Sequence, residues 1–484
     1  MMKRLLAFAL ALTLAFTLTA ALAEGATHAA GDARPHYTLD VTLDTERDRL
    51  SESVTIAFQN DSDAVWDAVW LTGYVPVVLE HAQPGAYSAG VVTVADGETG
   101  EPLAFSEDRE LGLITVTPAK PLEPGQSMSL ALAYEADIPH VTNERYQVSG
   151  YKRSNGVTYK LCQFFPMLCV FKDGQWVHHA YEFGGEAFFT VCSDFDVTLR
   201  LPQGITVVAS GEEEQVETDG DQAVWQITAR NMRDMVIIAS SEYKKPYTGT
   251  VGDVTVNSYY ATSHQSKQAE WSLQAAMKSV ALFEEKFGKY PYSELDVCIT
   301  QMIDAAVGIE YPGLVEIEQL AEVTRSHVRT IVSHEVGHQW FYGVVGNDQY
   351  DEPFLDEAFA FYCQVVYMRH IDKKTERELQ DIVVLRDKAL PVDLSLDEYK
   401  AIAGEGYLDA YSMAVYRSGR EFLWKVERAM GEKAFTQMIS QWYNEQMFKT
   451  PTIDEFVEFL YGYTGHAPEI EALVAQYMKR AGAQ

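Results

Sequence analysis

Hydrophobic and polar residues alternate along the first half of the chain. Apolar side chains occupy every second position in residues 37–43, 54–58, 128–134 and 195–201. Successive side chains of a strand point to opposite faces, so this period of two predicts strands with one buried face. Pro84-Gly85 and Pro124-Gly125 supply turn residues between such runs, which favours antiparallel pairing. We therefore predict an antiparallel all-β domain over residues 36–246, preceded by a loose tail at 24–35.

The apolar spacing changes after Lys244-Lys245-Pro246. Between residues 264 and 287, apolar residues recur every three or four positions, which predicts a helix with one buried face. Short strands are predicted at 254–260 and 295–300, and further helices from about 325, then at 353–370, 375–390, 411–430, 433–445 and 453–463. Residues 247–484 are therefore predicted to form an α+β domain with a helical C-terminal part. The predicted fold is multidomain, with the all-β domain first.

The N-terminus has the pattern of a secretory signal peptide. Lys3 and Arg4 precede an apolar run over residues 5–18, and Ala21-Leu22-Ala23 has the small residues of a cleavage site. We predict a signal peptide at 1–23, cleavage after Ala23 and secretion; the alternative is an uncleaved membrane anchor. No later stretch is long and apolar enough to span a bilayer.

Net charge and cysteine content argue against several classes of binding function. The chain has 38 Lys and Arg against 70 Asp and Glu, a formal net charge of −32, which disfavours binding to nucleic acid or to anionic membranes. The five cysteines contain no Cys-x-x-Cys pair, so a thiolate zinc site is excluded. They are Cys162, Cys169, Cys192, Cys298 and Cys363. For Cys162 and Cys169, both a disulfide and burial as free thiols remain open.

The main candidates for metal binding and catalysis lie between His334 and His338, where the sequence reads His-Glu-Val-Gly-His. Residues four apart share one face of a helix, so the two imidazoles can bind the same ion. Two imidazoles with a neighbouring carboxylate, Glu335, are typical of a zinc site in which the carboxylate acts as base on zinc-bound water. Gly337 lies inside this helix, and we expect it to allow close packing against the β side.

Catalytic zinc takes three protein ligands, and the third candidate is Glu357. Eighteen residues separate it from His338. That gap accommodates a turn at Gly346-Asn347 and the start of a second helix that packs on the first. The alternative to a metal site is a surface helix with scattered histidines. That alternative does not explain why a second helix with an acidic residue follows at the distance a third ligand requires.

Several segments of the chain, including the one that contains both histidines, resemble those of a known family. The sequence from His334 to Phe341, followed after the same gap by Glu357, is similar to the zinc signature of the aminopeptidase N family, the gluzincin aminopeptidases. Residues 306–313 resemble that family's Gly-x-Met-Glu segment, and 287–292 its Phe-Gly-x-Tyr-Pro-Tyr segment. The resemblance is strongest from about 250 to 430. It implies a saddle-like β domain followed by a thermolysin-like peptidase domain with one Zn²⁺ per chain.

The resemblance also implies roles for individual residues. His334, His338 and Glu357 would bind zinc, and Glu335 would be the general base. Glu310 would bind the free α-amino group of the substrate. The chemistry of this last role is general, since an enzyme that cleaves at the N-terminus needs a carboxylate facing the ammonium.

A tyrosine in a Tyr-x-x-Gly setting stabilises the oxyanion in this family. Tyr416 fits that setting, and Tyr407 and Tyr411 are nearby alternatives. Gly308 and Gln163 are the remaining substrate contacts implied by the resemblance. Both depart from the family pattern, because the glycine comes one position late and the segment around Gln163 follows the family only loosely.

The predicted function is therefore a secreted zinc-dependent aminopeptidase that hydrolyses the first peptide bond of substrates with a free N-terminus. One alternative is another zinc hydrolase on the same scaffold, an endopeptidase or an epoxide-type hydrolase. A second is an inactive peptide-binding protein. The oligomeric state and the preferred first residue of the substrate are left open.

Overall fold

Extended strands dominate the structure up to Tyr259, as the period-two pattern predicts. The computed structural model describes residues 34–140, 148–153, 156–183, 188–302, 307–385 and 389–479. The predicted signal peptide and its cleavage site lie outside these residues. Within them, the structure contains no helix with the length and apolar character needed to cross a membrane.

Twenty-two strands are present in the described residues. They are β1 His36–Asp44, β2 Arg49–Gln59, β3 Val69–Thr72, β4 Ala89–Asp96, β5 Ala104–Asp108, β6 Leu113–Thr117, β7 Ser127–Asp137, β8 Ser149–Arg153, β9 Gly156–Cys162, β10 Met167–Leu168, β11 Val170–Lys172, β12 Gln175–Val177, β13 Ser193–Pro202, β14 Thr206–Ala209, β15 Glu212–Asp219, β16 Gln222–Met232, β17 Val236–Ser240, β18 Tyr247–Val251, β19 Val254–Tyr259, β20 Glu294–Thr300, β21 Gly308–Ile309 and β22 Leu314–Glu318.

The largest sheet has the strand order β15-β16-β13-β1-β2-β7-β4. The alternation that predicts it is visible in burial, since Tyr37, Leu39 and Val41 of β1 are buried while the residues between them are more exposed. Two four-stranded sheets, β10-β3-β6-β5 and β14-β17-β9-β8, and the β11-β12 pair complete this half. The all-β prediction is wrong in two details. β1 pairs with β13 in parallel, and a short helix, α1 Val75–Ala82, starts with a proline in its first turn.

The second half is built on a mixed five-stranded sheet of order β18-β19-β20-β22-β21. The pairs β19–β20 and β20–β22 are parallel, and β21 is an antiparallel edge strand. The helices are α2 Ser266–Lys286, α3 Arg325–Glu335, α4 Phe359–His370, α5 Glu376–Val383, α6 Leu396–Ala403, α7 Tyr407–Tyr411, α8 Gly419–Met430, α9 Glu432–Gln446, α10 Ile453–Thr464 and α11 Pro468–Tyr477.

The helices predicted at 264–287, 433–445 and 453–463 are present with each bound within two residues of the prediction. The helix predicted at 353–370 begins with a π-helical turn, Phe354–Ala358, and α4 starts only at Phe359. The helix predicted at 375–390 is shorter, because α5 ends at Val383; it begins at a capping box formed by Thr375 and Glu378. The helix predicted at 411–430 is interrupted by a π-helical segment, Ser412–Ser418. The predicted fold class, an all-β part followed by a mainly helical α+β part, is confirmed.

Two large apolar cores follow this division. One is formed by residues of the β half, from Tyr37 to Ala239, and the other by residues from Val254 to Met478. A smaller cluster contains members of both halves, including Val208 and Leu314. The boundary at 246 stays a prediction. All five cysteines are buried free thiols, so the open alternative at Cys162 and Cys169 is resolved against a disulfide.

Candidate active site

The His-Glu-Val-Gly-His sequence lies at the C-terminal end of α3. The Thr324 side chain caps this helix by accepting a hydrogen bond from the His327 amide, and a 3₁₀ turn, Gly337–Gln339, continues the chain after Glu335. A Cβ atom at Gly337 would lie 2.8 Å from Cys363 Cβ. The glycine therefore allows α3 to approach α4, and the expectation that it packs against the β side is wrong.

Three side-chain atoms converge beyond the end of α3. The Nε2 atoms of His334 and His338 are 3.1 Å apart. Glu357 Oε2 lies 3.2 Å from the first nitrogen and 3.5 Å from the second. Glu357 reaches them from a π-helical turn, Phe354–Ala358, that leads into α4. The structure thus brings together the three residues that the sequence identifies as metal ligands.

This cluster fits a tetrahedral zinc ion. Ligand atoms about 2.0–2.2 Å from tetrahedral zinc are separated by about 3.3–3.6 Å, close to the three separations observed. Glu357 Oε2 is buried and has no hydrogen-bond partner, which leaves it available to a metal. The imidazoles of His338 and His334 lower the pKa of Glu357 although burial opposes ionisation, so the carboxyl group is in its ligating, charged form.

Asp356 orients one of the ligands, a role that the sequence analysis missed. Its Oδ1 atom lies 2.5 Å from His338 Nδ1, and Gln349 Nε2 donates to its Oδ2 at 2.8 Å. Because a carboxylate accepts, His338 carries a proton on Nδ1, and its Nε2 is the nitrogen that faces the other two ligand atoms. In the sequence, Asp356 is visible only as the acid directly before Glu357. That position does not reveal that its side chain contacts His338.

Glu335 is buried beside the ligand imidazoles and is covered by Gly308. Ligand atoms of His334, Glu335 and His338 lie within 4.8 Å of one another. A Cβ atom at Gly308 would lie 2.0 Å from Glu335 Oε1 and 2.3 Å from its Cδ. Gly308 therefore leaves the space that the carboxylate occupies. The resemblance implies a substrate contact for Gly308, and the structure adds this contact with the predicted base.

Glu310 follows directly after the edge strand β21. It is buried, and burial together with the Asp356, Glu357 and Glu335 carboxylates raises its pKa to about 8 against the influence of His338. Its position is fixed by Gln339, which the sequence analysis did not single out. Gln339 Nε2 donates to the Tyr311 carbonyl at 3.0 Å and its Oε1 accepts from the Gly313 amide at 2.9 Å.

Of the three tyrosines considered for the oxyanion, Tyr416 is the one near the ligands. Its hydroxyl donates to Glu357 Oε1 at 2.5 Å, and its ring lies 6.4 Å from the His334 ring. Tyr407 donates instead to Glu182 at 2.9 Å. Tyr411 is buried and packs against Tyr416. The geometry therefore favours Tyr416 over both alternatives.

These groups line one cavity of about 610 Å³, within the range of ligand-binding clefts. His334, Glu335 and Glu357 form one part of its wall, and Gly308, Glu310 and Tyr416 adjoin them. Phe361, Gln364, Met368, Ile382 and Arg420 line the rest of the interior together with His327 and its neighbours.

Gln163 is not among the described residues that line this cavity. It lies in a separate cavity of about 20 Å³ with Thr72 and Tyr74, and its Nε2 is 3.4 Å from Asp234 Oδ1. The structure therefore does not bring Gln163 to the other site residues. Its loose fit to the family pattern agrees with this separation.

Comparison with known proteins adds evidence independent of this geometry. Residues 271–477 match the Peptidase family M1 domain. The chain is 22% identical over 310 residues to Aminopeptidase N of Lactobacillus helveticus, an alignment that covers 60% of this chain and 36% of that protein. It is 23% identical over 330 residues to the Puromycin-sensitive aminopeptidase of Caenorhabditis elegans, covering 64% and 33%. The chain spans about a third of the length of these curated relatives.

Solved structures are similar over nearly the whole chain. A variant of the M1 zinc metallopeptidase from Deinococcus radiodurans aligns with a TM-score of 0.64 at 14% identity, covering 92% of this chain and 94% of that chain. A two-domain M1 zinc metallopeptidase variant bound to L-tryptophan aligns with a TM-score of 0.65 at 16% identity, covering 93% and 96%. At these identities the similarity concerns the fold.

Proposed function

We propose that this chain, which belongs to the aminopeptidase N family of zinc metallopeptidases through its peptidase M1 domain, is a zinc-dependent aminopeptidase. The observation that carries the proposal is the convergence of His334, His338 and Glu357 on one point, at separations of 3.1–3.5 Å. Glu335 and Glu310 line the same cavity. A metal site, a base and an amine-binding carboxylate are the parts that hydrolysis of an N-terminal peptide bond requires.

Each residue has a distinct task in this proposal. His334, His338 and Glu357 would hold a zinc ion, which would supply Lewis acidity and lower the pKa of a bound water. Glu335 accepts the proton of the attacking water and passes it to the leaving amine. The pKa of the buried Glu310 is raised, and the positive charge of a substrate ammonium beside it favours its ionised form. The resulting pair places the first peptide bond, and no later one, beside Glu335.

In this proposal Tyr416 donates a hydrogen bond to the developing oxyanion. Its hydroxyl lines the cavity and lies 2.5 Å from a carboxylate oxygen of Glu357, so its donor is directed at the ligand cluster. A preorganised donor of this kind contributes roughly 3–4 kcal/mol to transition-state stabilisation. Asp356 acts through His338, whose imidazole it holds in the ligating tautomer.

Substitution of Glu335 by Gln tests the proposed base. We expect Glu335→Gln to abolish hydrolysis of aminoacyl anilides while the purified protein retains one zinc per chain by elemental analysis, because the three ligands are unchanged. Glu322→Gln, at an exposed residue before α3, is the matched control and should keep full activity. Retained turnover in Glu335→Gln would contradict the assigned base.

Peptides with a blocked N-terminus test the assignment to an exopeptidase. Because Glu310 needs an ammonium partner, acetylated peptides should be cleaved far more slowly than the same peptides with a free amino group. Equal cleavage of both would favour the endopeptidase alternative. Absence of zinc and of turnover in the wild type would favour the inactive peptide-binding protein.

We also propose that the protein is secreted after cleavage at Ala23. The support is the order of Lys3 and Arg4, the apolar run over 5–18 and the Ala21-Leu22-Ala23 sequence. N-terminal sequencing of the protein recovered outside the cells should begin at Glu24. Recovery of the intact N-terminus in the membrane fraction would favour the anchor alternative.

A further inference from the structure

Arg420 is a positive charge in the wall of the active-site cavity that forms no ion pair with a described residue. The residue lies on α8, close after Tyr416, and is only 8% exposed. Its Nη2 donates to the Ile382 carbonyl at 3.0 Å, whereas its Nε is buried without a hydrogen-bond partner. Among the residues that the structure describes, Glu421 is the acid that acts on it, and Glu421 already pairs with Lys425 at 3.1 Å.

A buried guanidinium without a carboxylate partner is costly unless a ligand supplies the missing charge. Burial and the neighbouring Arg417 lower the pKa of Arg420 to about 10, so the group still carries its charge at neutral pH. The fork of N–H donors in a guanidinium matches a carboxylate better than any other common anion in peptides. The unpartnered Nε leaves one of those donors available.

The distance from the ligands limits where such a carboxylate sits. The guanidinium carbon lies 5.2 Å from the centre of the Phe361 ring, and that ring lies 4.9 Å from the His334 ring. Arg420 is therefore within about 10 Å of His334, a span of about three extended residues. The cavity is polarised, with Glu310 available for an ammonium in one part of its wall and Arg420 for an anion in another.

We propose that Arg420 forms a carboxylate-binding subsite, so that the favoured substrates are peptides with a carboxylate within about three residues of the free N-terminus. This inference rests on the proposed aminopeptidase function and specifies its substrate class. The carboxylate has two possible sources, an acidic side chain near the N-terminus and the C-terminal carboxylate of a short peptide. Both present the same group to the guanidinium.

Two matched peptide pairs distinguish the sources. Leu-Gly-Gly and its C-terminal amide differ only in the terminal carboxylate, and the amides of Leu-Asp-Gly and Leu-Asn-Gly differ only in the side chain. In at least one pair, the wild type should favour the carboxylate member by about 10- to 100-fold in kcat/KM, the range for a charge-assisted hydrogen bond. The pair that shows the preference identifies the source.

Arg420→Met should reduce that preference to within about threefold, and Arg420→Lys should retain part of it, because the charge remains without the fork. The matched control is Arg428→Met on the same helix. Arg428 also lies over an aromatic ring, at 5.8 Å from Trp424, but it pairs with Glu376 and is 54% exposed on its side chain. Its variant should keep the wild-type preference.

Affinity measured by calorimetry separates this inference from the proposed function. Zinc-loaded Glu335→Gln protein, with and without Arg420→Met, is titrated with each peptide. A carboxylate preference in affinity that Arg420→Met removes supports the subsite even if no peptide is hydrolysed, in which case the peptidase proposal alone fails. The subsite is refuted if the wild type shows no preference in either pair, or if Arg420→Met weakens both members of a pair equally, as a packing role would.

Discussion

Replacement of Gly308 by alanine tests the position of the general base without touching a chemical group. The added Cβ would lie 2.0 Å from Glu335 Oε1, so the carboxylate must move by about 1.5 Å to reach ordinary van der Waals separation. The backbone at Gly308 does not have the positive φ that would strain an alanine. The substitution therefore acts through this one contact.

The expected loss follows from the displacement. A misplacement of about 1 Å costs on the order of 100-fold, and a general base contributes about 10²- to 10⁴-fold in total. We expect kcat/KM of Gly308→Ala to fall by about 10²- to 10⁴-fold, which corresponds to about 3–5 kcal/mol. The zinc content should not change, because the three atoms nearest to the new methyl group all belong to Glu335 and His334, His338 and Glu357 are themselves unaltered.

Hydrolysis of an aminoacyl anilide, elemental analysis and the midpoint of thermal unfolding should be measured together. Gly406→Ala is the matched control, since a Cβ atom there meets nothing within 4 Å, and it should retain wild-type activity. Activity of Gly308→Ala within threefold of the wild type, with zinc bound, would refute the placement of Glu335. Loss of zinc would show that the substitution acts through the ligands instead.

Two further predictions concern Tyr416 and a buried acidic cluster. Tyr416→Phe should lower kcat/KM on an aminoacyl anilide by about 10²- to 10³-fold at unchanged zinc content; a loss below tenfold would contradict the oxyanion role. Burial and the neighbouring Glu294 carboxylate raise the pKa of Asp296. The stability that Asp296 contributes is therefore complete below its unfolded pKa of about 3.9 and is lost as the pH rises towards its pKa in the folded protein. Asp296→Asn should therefore lose less stability than the wild type between pH 5 and pH 8 in urea unfolding. The exposed Asp253→Asn should follow the wild type, and an equal loss in Asp296→Asn would contradict the linkage.

The parts of the site that sequence predicts are those set by local geometry or by the family resemblance. His334 and His338 share a face because they are four residues apart on a helix. Glu357 needs a second helix at the right distance, which the spacing and the acidic segment indicate. In the structure all three converge, although the first helix ends at Glu335 and a 3₁₀ turn carries His338.

The parts that sequence does not predict depend on contacts between distant segments. Pairing of β1 with β13 joins residues more than 150 positions apart, and an alternating pattern does not specify the partner strand. Gly337 packs against Cys363 on another helix, which composition alone does not reveal. Arg420 resembles any other arginine of an amphipathic helix until the cavity beside it is known.

The backbone of the edge strand sets the distance between the predicted base, Glu335, and the predicted amine-binding residue, Glu310. Gly308 and Glu310 are two residues apart at the edge strand, so where the backbone is extended they face the same side; both line the cavity. Gln339, next to the ligand His338, holds the carbonyl of Tyr311 and the amide of Gly313. The edge strand is thereby fixed to the segment that carries the ligands. The glycine that comes one position late relative to the family pattern is therefore in the register that leaves room for Glu335.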